Sequence, residues 1–223
     1  MSIAKTFSAQ TIGLKTEIIS VEIDISNGLN SFSIVGMGDR AVAEAKDRIS
    51  AAIKNSGYTS PKQKNQKVVI SLAPADVRKE GPSFDLSMAI GYLKASGDVD
   101  FDTEGKLFLG ELSLLGEIKQ INGILPILCA AKNMGFNQAF IPEKNKKEAS
   151  LAKNIDIYAV SSLQELIEHL SNKKQAPKIF FVTPQSRSFV AKYTDMSSIR
   201  GNENIKRGLE IAAAGAHNVI MCG

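Results

Sequence analysis

Apolar and polar positions alternate along residues 19–25, where Ile19, Val21, Ile23 and Ile25 are separated by Ser20, Glu22 and Asp24. Period two predicts a strand with one buried face. Asn27-Gly28 follows, a pair suited to the positive φ that a tight hairpin turn requires. Phe32 and Ile34, alternating with Ser31 and Ser33, then read as the return strand. Beyond them the period lengthens. Asp39 suits a helix N-cap, and Val42, Ala45, Ile49, Ala52 and Ile53 recur at helical spacing before Gly57, a natural stop. Ser60–Lys67 is polar and reads as a solvated loop, and Val68–Leu72 as a short buried strand.

Residues 83–95 are apolar on most sides of a helix (Phe84, Leu86, Met88, Ile90, Leu93), which predicts a buried helix. Leu107–Leu112 and Leu114–Ile121 predict two strands, and Leu125–Met134 a helix ended by Gly135. Ala139–Ile141 predicts a strand stopped by Pro142, and Ile155–Val160 a last strand. Leu163, Leu166, Ile167 and Leu170 form an i, i+3, i+4, i+7 stripe. The polar run SNKKQAP at 171–177 breaks the composition. It places a first domain at 1–172, a linker at 173–195 and a new unit at 196–223. That unit is expected to hold a helix from Asn204 to Ala214 and a strand from Asn218 to Cys222.

Composition narrows the class. In 223 residues, 43% are apolar and 22% charged, enough to build a core. No run of apolar residues is long enough to span a membrane, and Met1–Gln10 has no apolar segment of the signal-peptide kind. Two cysteines, Cys129 and Cys222, exclude a disulfide framework, and a reduced, cytoplasmic setting follows. With His169 and His217 they are too scattered for a four-ligand zinc site, and no metal site is expected. The net charge of +4 permits a nucleic-acid partner without requiring one. Lysines cluster at 62, 64 and 67, at 144, 146 and 147, and at 173 and 174, each in an expected loop. Such clusters suit phosphate contacts. No aromatic residue is interleaved to stack bases, so a solvated face is the plainer reading of each.

Two segments carry candidate chemistry. Ser83 follows Lys79-Glu80-Gly81-Pro82 and opens an apolar helix. A helix N-cap accounts for it, with Asp85 adding first-turn charge that suits the helix dipole. The tail runs helix, short apolar strand, then Gly223. In phosphate-loop ATPases such a strand feeds GxxxxGK[ST], whose backbone amides cradle phosphates. Taken locally, any helix–strand connection would look the same.

The tail GNENIKRGLEIAAAGAHNVIMCG resembles the opening of the AAA+ module in magnesium-chelatase-like ATPases of the YifB/ComM family. So do the stretches GLKTEIISVEIDISNGLNSFSIVGMGDRAVAEAKDRISAAIKNSGY, ISLAPADVRKEGPSFDLSMAIG and FLGELSLLGEI, in that order. The resemblance implies an α/β front domain like the proteolytic domain of Lon, of the ribosomal-protein-domain-two-like type. The first helix and strand of an AAA+ ATPase would follow it. It implies a hexameric parent that uses ATP and magnesium as a DNA branch-migration motor in natural transformation, with the front domain supporting assembly or DNA engagement. By the same resemblance Ile199 and Gly201 would lie near the adenine, and Gly223 would open the phosphate loop. The present chain is expected to bind no cofactor by itself and not to hydrolyse ATP, because the phosphate-loop lysine is missing. Lys79–Ser83 is also similar to the KDGPS stretch of Lon proteases, whose serine is the nucleophile and whose base is a lysine. The matching stretch here is Asn122-Gly123-Ile124-Leu125, which puts Leu125 at the base position. An alkyl chain accepts no proton, so Ser83 is a disfavoured nucleophile. A Lon-type peptidase, a chelatase-related subunit and a protein-interaction module without a DNA role stand as alternatives.

Overall fold

A computed structural model of the chain describes residues 2–13, 15–36, 38–183 and 195–221. It divides into two compact units, Met1–Pro184 and Gln185–Gly223. In the first unit a mixed sheet combines β1 (Ser2–Ile12), β2 (Lys15–Asn27), β3 (Ser31–Val35) and β4 (Gln66–Ala73) in the order β1-β2-β4-β3. Strands β1 and β2 are antiparallel, as are β2 and β4, with Ile23 opposite Ile70. The expected hairpin at Asn27-Gly28 does not form, because β4 lies between β2 and β3. The cause is α1 (Arg40–Asn55), which joins β3 to β4. A helical crossover makes its two strands parallel, and β3 does pair parallel with β4, Ile34 beside Ile70. Val68, Ile70 and Leu72 are buried. The most apolar strand thus takes the centre, where both of its ladders are satisfied, and serine-bearing β3 takes the edge.

Strand β1 was not legible in the hydrophobic pattern. Its core-facing positions are Ala4, Thr6, Ser8 and Gln10, whereas Ile3 is 74% exposed. Small and polar residues face inward because α2 (Asp85–Ala95) packs closely on this sheet. The Thr6 hydroxyl donates to the Ser87 carbonyl at 2.9 Å. A Cβ added at Gly91 would lie 2.3 Å from Ile23 Cδ1.

The helices follow their stripes. Asp39 caps α1, its carboxylate accepting from the Val42 N–H at 2.9 Å, and Val42, Ala45, Ile49, Ala52 and Ile53 are buried. Every residue of α2 except Lys94 is buried. Ser83, however, does not cap α2: the cap position is Phe84, and no side chain bonds there. Backbone groups serve the first helical amides instead. Asp85 N–H donates to the Pro82 carbonyl at 3.2 Å and Leu86 N–H to the Gly110 carbonyl at 3.1 Å.

A second sheet holds β5 (Lys106–Phe108), β8 (Gln138–Pro142), β9 (Asp156–Val160) and β10 (Lys178–Ile179) in the order β10-β9-β8-β5. Its three pairings differ in direction: β5, β8 and β9 run parallel, and β10 is antiparallel to β9. The helices α3 (Ile124–Ala131), α4 (Lys146–Ala149) and α5 (Leu163–Leu170) accompany this sheet in sequence, with Ile124, Ile127 and Leu128 in its core cluster. The two long strands expected over 107–121 are shorter. Strand β5 ends at Phe108, and a small hairpin of β6 (Glu111–Leu112) and β7 (Ile118–Lys119) follows, with Leu114 and Leu115 exposed at its turn. The pairing of β10 carries this unit past residue 172, beyond the boundary expected from the polar run.

The second unit has a short 3-10 turn at Met196–Ser198 and α6 (Glu203–Ala214). No residue of α6 is buried. The strand expected at Asn218–Cys222 is not seen over Asn218–Met221, and Cys222 lies outside the described residues. A strand needs a neighbour to fill its ladder, and none pairs with this segment among the described residues. No helix of the described residues is long and apolar enough to cross a membrane.

Candidate functional site

The segment around Ser83 is held from three sides. Asp39 reaches across from the start of α1, its second carboxylate oxygen accepting from the Gly81 N–H at 3.0 Å, while its own N–H donates to the Lys79 carbonyl at 3.0 Å. Burial pushes the Asp39 carboxyl up, but N–H donors from Gly81, Val42 and Ala41, with Arg78 nearby, outweigh it and hold the pKa below the usual value. Gln10, at the end of β1, donates to the Arg78 carbonyl at 2.8 Å and accepts from the Glu80 N–H at 3.3 Å. Behind the loop, Lys79 is completely buried and its ammonium donates to the Pro74 carbonyl. Burial holds the Lys79 pKa below its ordinary value. Gly81 takes φ +77°, a left-handed conformation that favours glycine.

This loop forms one side of a cleft of about 690 Å³. The end of β1, from Ala9 to Gly13, forms another side, and Gln120–Asn122 a third. The last is fixed by buried Asn145, which donates to the Ile121 carbonyl at 2.8 Å and accepts from the Ile121 N–H at 3.2 Å. Ser83 lines the cleft, with the carboxylates Asp76, Glu80 and Glu111 and the guanidinium of Arg78. Among the described residues no lysine or histidine lines it. Leu125 is turned elsewhere: it packs against the second core cluster, and its N–H donates to Glu148 at 3.0 Å. Lys119 pairs with Glu117, and Lys132 is exposed.

Beside the cleft is a charge pair that sequence reading missed. Arg48 of α1 donates to both carboxylate oxygens of Asp85, at 2.7 and 3.1 Å, and to the Ala41 carbonyl at 3.0 Å. The Leu112 N–H donates to the same carboxylate at 3.2 Å. Asp85 is wholly buried. Burial pushes its carboxyl up to about 6, against the opposing pull of Arg48 and Leu112. Asp85 therefore ties α1, α2 and β6 together, a larger part than the dipole role expected of it. The available signal was a carboxylate inside an otherwise apolar helix, which needs a partner.

The expected nucleotide-contacting residues lie in the second unit. Ile199 is 43% exposed, and its N–H closes the 3-10 turn on the Met196 carbonyl at 3.1 Å. Gly201 has φ +73° with open space where a Cβ would sit. Gly223 lies outside the described residues. Neither histidine joins a metal cluster among the described residues. His169 accepts the Ala176 N–H at 2.9 Å through Nδ1 and packs on Phe140 and Tyr158, so it is a packing residue. Of the lysine clusters, Lys62 pairs with Asp47 at 2.5 Å and Lys64 with Asp98 at 3.6 Å, while Lys144, Lys146 and Lys147 are exposed.

Comparison with known proteins covers both units. The family described as subunit ChlI of Mg-chelatase matches residues 21–145, and that described as magnesium chelatase, subunit ChlI, matches residues 195–223. Competence protein ComM of Haemophilus influenzae is 33% identical over 226 residues, covering 100% of this chain and 44% of ComM. YifB of Escherichia coli is 34% identical over 229 residues, covering 100% of this chain and 43% of YifB. Lon protease 2 of Bacillus subtilis is 33% identical over 100 residues, 44% of this chain and 18% of that protease. The chain thus spans less than half the length of the ComM and YifB relatives. With both units matched in order, the chain belongs to the magnesium-chelatase ChlI family, in the branch of ComM and YifB.

Proposed function

We propose that the first unit is a non-catalytic accessory domain of Lon-protease-like architecture, and that the second opens the ATPase module of a cytoplasmic, hexameric, DNA-directed motor. The observation that carries the accessory role is the Ser83 cleft, whose lining among the described residues offers carboxylates, amides and the Arg78 guanidinium but no lysine or histidine. A serine hydroxyl is a poor nucleophile until a base takes its proton, and the position that resemblance gives to the base is Leu125. The match to a competence protein along the whole chain supports a DNA-branch-migration role in transformation. The magnesium-chelatase families support ATP with magnesium as the cofactor of the whole protein. Open space around Gly201 fits the close approach of a planar base, with Ile199 beside it in sequence as an apolar contact. Gly223 would open the loop that holds the phosphates. In the whole protein ATP would supply the free energy of its hydrolysis, and Ile199 and Gly201 would contact its base.

The test uses the whole protein and this chain side by side. Branched DNA should raise ATP turnover by the whole protein, and Ser83→Ala should leave that turnover unchanged. The 223-residue chain should show no ATP binding by calorimetry. Turnover indifferent to DNA, or lost in Ser83→Ala, overturns the proposal. The match to Lon protease 2 favours a second reading, peptide hydrolysis at Ser83. Covalent labelling of Ser83 by a serine-directed phosphonate would establish it.

A further inference from the structure

We infer that the α4 turn and the segment just after β10 together form a surface that binds single-stranded nucleic acid; this rests on reading the whole protein as DNA-directed. Three observations converge. The first is what the fold brings together. Lys144, Lys146 and Lys147 lie on the turn between β8 and β9 and are exposed. No aromatic residue stands among them in sequence. The chain supplies one by returning after β10. Ser150 closes α4, its N–H donating to the Lys146 carbonyl at 3.0 Å and its hydroxyl to the Lys147 carbonyl at 2.8 Å. The Ser150 carbonyl in turn accepts the Val182 N–H at 2.8 Å, which sets Val182, and Phe181 before it, beside the lysine turn. Lys153 joins the two segments, its ammonium 4.5 Å from the centre of the Phe181 ring.

The second observation is exposure on an anchored segment. Phe180 is 76% exposed and Phe181 39%. Ile179, one residue earlier, pairs with Ile157 and is buried in the second core cluster. A fixed strand therefore carries two aromatic rings at the surface. Such rings offer flat apolar faces, and every nucleobase has a π-face to stack on one. The third is charge. Lys144, Lys146, Lys147 and Lys153 form no ion pair among the described residues. Glu148 of α4 is engaged with the neighbouring backbone and Asn145 instead, accepting from the Leu125 N–H at 3.0 Å and the Asn145 amide at 3.3 Å. Asp156 is matched by Lys178 at 2.9 Å. Among the acids of the α4 turn this leaves Glu143 exposed against the lysines. Ammonium groups in this number suit phosphates. An acidic peptide would satisfy the charge but bring no flat partner for the rings. Duplex DNA keeps its bases stacked inside, so the rings favour an unpaired strand. Phosphate contact with stacking carries little base preference.

The experiment is fluorescence anisotropy on the 223-residue chain. The probes are a labelled oligothymidylate of about 20 nucleotides, long enough to cover such a surface, a duplex of the same length, and an unlabelled polyglutamate peptide as competitor. The single strand should bind saturably and about tenfold more tightly than the duplex. Phe180→Ala should weaken it about tenfold, the effect of one lost stack, with unchanged circular dichroism. Lys146→Gln combined with Lys147→Gln should weaken it and lower the slope of log affinity against log salt by about 1.4, two phosphate contacts on a single strand. Absence of saturable binding, a duplex bound as tightly, an unaffected Phe180→Ala variant, or an unchanged salt slope overturns the assignment. Displacement by polyglutamate at equal charge concentration also overturns it, and assigns the surface to acidic polypeptide. The parallel measurement is ATP turnover by the whole protein with branched DNA. Turnover raised by DNA, with no strand bound by the 223-residue chain, overturns this surface and leaves the motor reading standing. Turnover indifferent to DNA, with the strand bound as described, overturns the motor reading and leaves the surface.

Discussion

Asp39 serves two structures with one carboxylate, capping α1 and gripping Gly81. Asp39→Ala should cost about 1–2 kcal/mol, the upper part of the range for a lost cap. Its folded pKa is depressed, so this contribution is present above the unfolded carboxyl value and is lost as pH falls through the folded one. Urea unfolding of wild type and variant should differ at pH 7 and draw together as pH falls below the ordinary carboxyl value of about 3.9; a gap that stays constant would assign the loss to packing. Asp85 has the opposite sign. Its pKa is pushed up to about 6, so the folded state holds the proton more tightly than the unfolded state does. Wild-type stability relative to Asp85→Asn should fall as pH rises from about 4 to about 6 and then level. A difference that stays constant over that range would mean that Arg48 fully offsets the burial. The contrast between these residues explains what was legible. Asp39 was readable as a cap because its partner is three residues away. Gln10 and Arg48 were not, because their partners lie 68 and 37 residues distant. Ser83 was placed at the right loop and given the wrong local role, since the Gly110 backbone that replaces its cap arrives from 27 residues away, the span from 83 to 110.

At the scale of elements, periodicity identified α1 and α5 because each buries its own stripe. It failed at strand order, which is set by the α1 crossover and by competition for the central position. It also failed at β1, whose inward positions are small or polar to admit α2. Two glycines report how tightly these elements meet. A Cβ at Gly36, just past β3, would lie 2.1 Å from the Leu72 carbonyl oxygen of β4, and φ there is +117°. A Cβ at Gly91 of α2 would lie 2.3 Å from the tip of the Ile23 side chain. Gly91→Ala gains about 1 kcal/mol of helix propensity but meets a buried neighbour, and overpacking of this kind costs about 1–3 kcal/mol. The net loss should therefore be small. Gly36→Ala faces fixed backbone and an unfavourable φ together, so it should lower the urea midpoint more than Gly91→Ala. The reverse order would mean that β3 shifts easily against β4.

The whole molecule divides where the polar run did not foretell. Composition placed the end of the first domain at 172, because Ser171–Pro177 looks like a linker. The chain instead crosses this run and returns to the sheet. The Ala176 N–H reaches His169, Ile179 pairs with Ile157, and both Ala176 and Ile179 are buried. A two-residue edge strand is too short to show a period, which is why the sequence did not reveal it. Chains ending at Asn172 and at Pro184 separate the two boundaries. Removing 173–184 uncovers the edge of β9 and strips Ile179 from the second core cluster, and a buried isoleucine contributes about 1.5–3 kcal/mol. For a unit of this size that loss lowers the melting temperature by about 4 °C or more. The chain ending at Pro184 should melt as the first unit does within the 223-residue chain, because α6 has no buried residue and makes a compact unit of its own. Equal melting of the 172- and 184-residue chains would return the boundary to the polar run and reduce β10 to an incidental contact. A 184-residue chain that melts well below the 223-residue chain would show that the second unit stabilises the first.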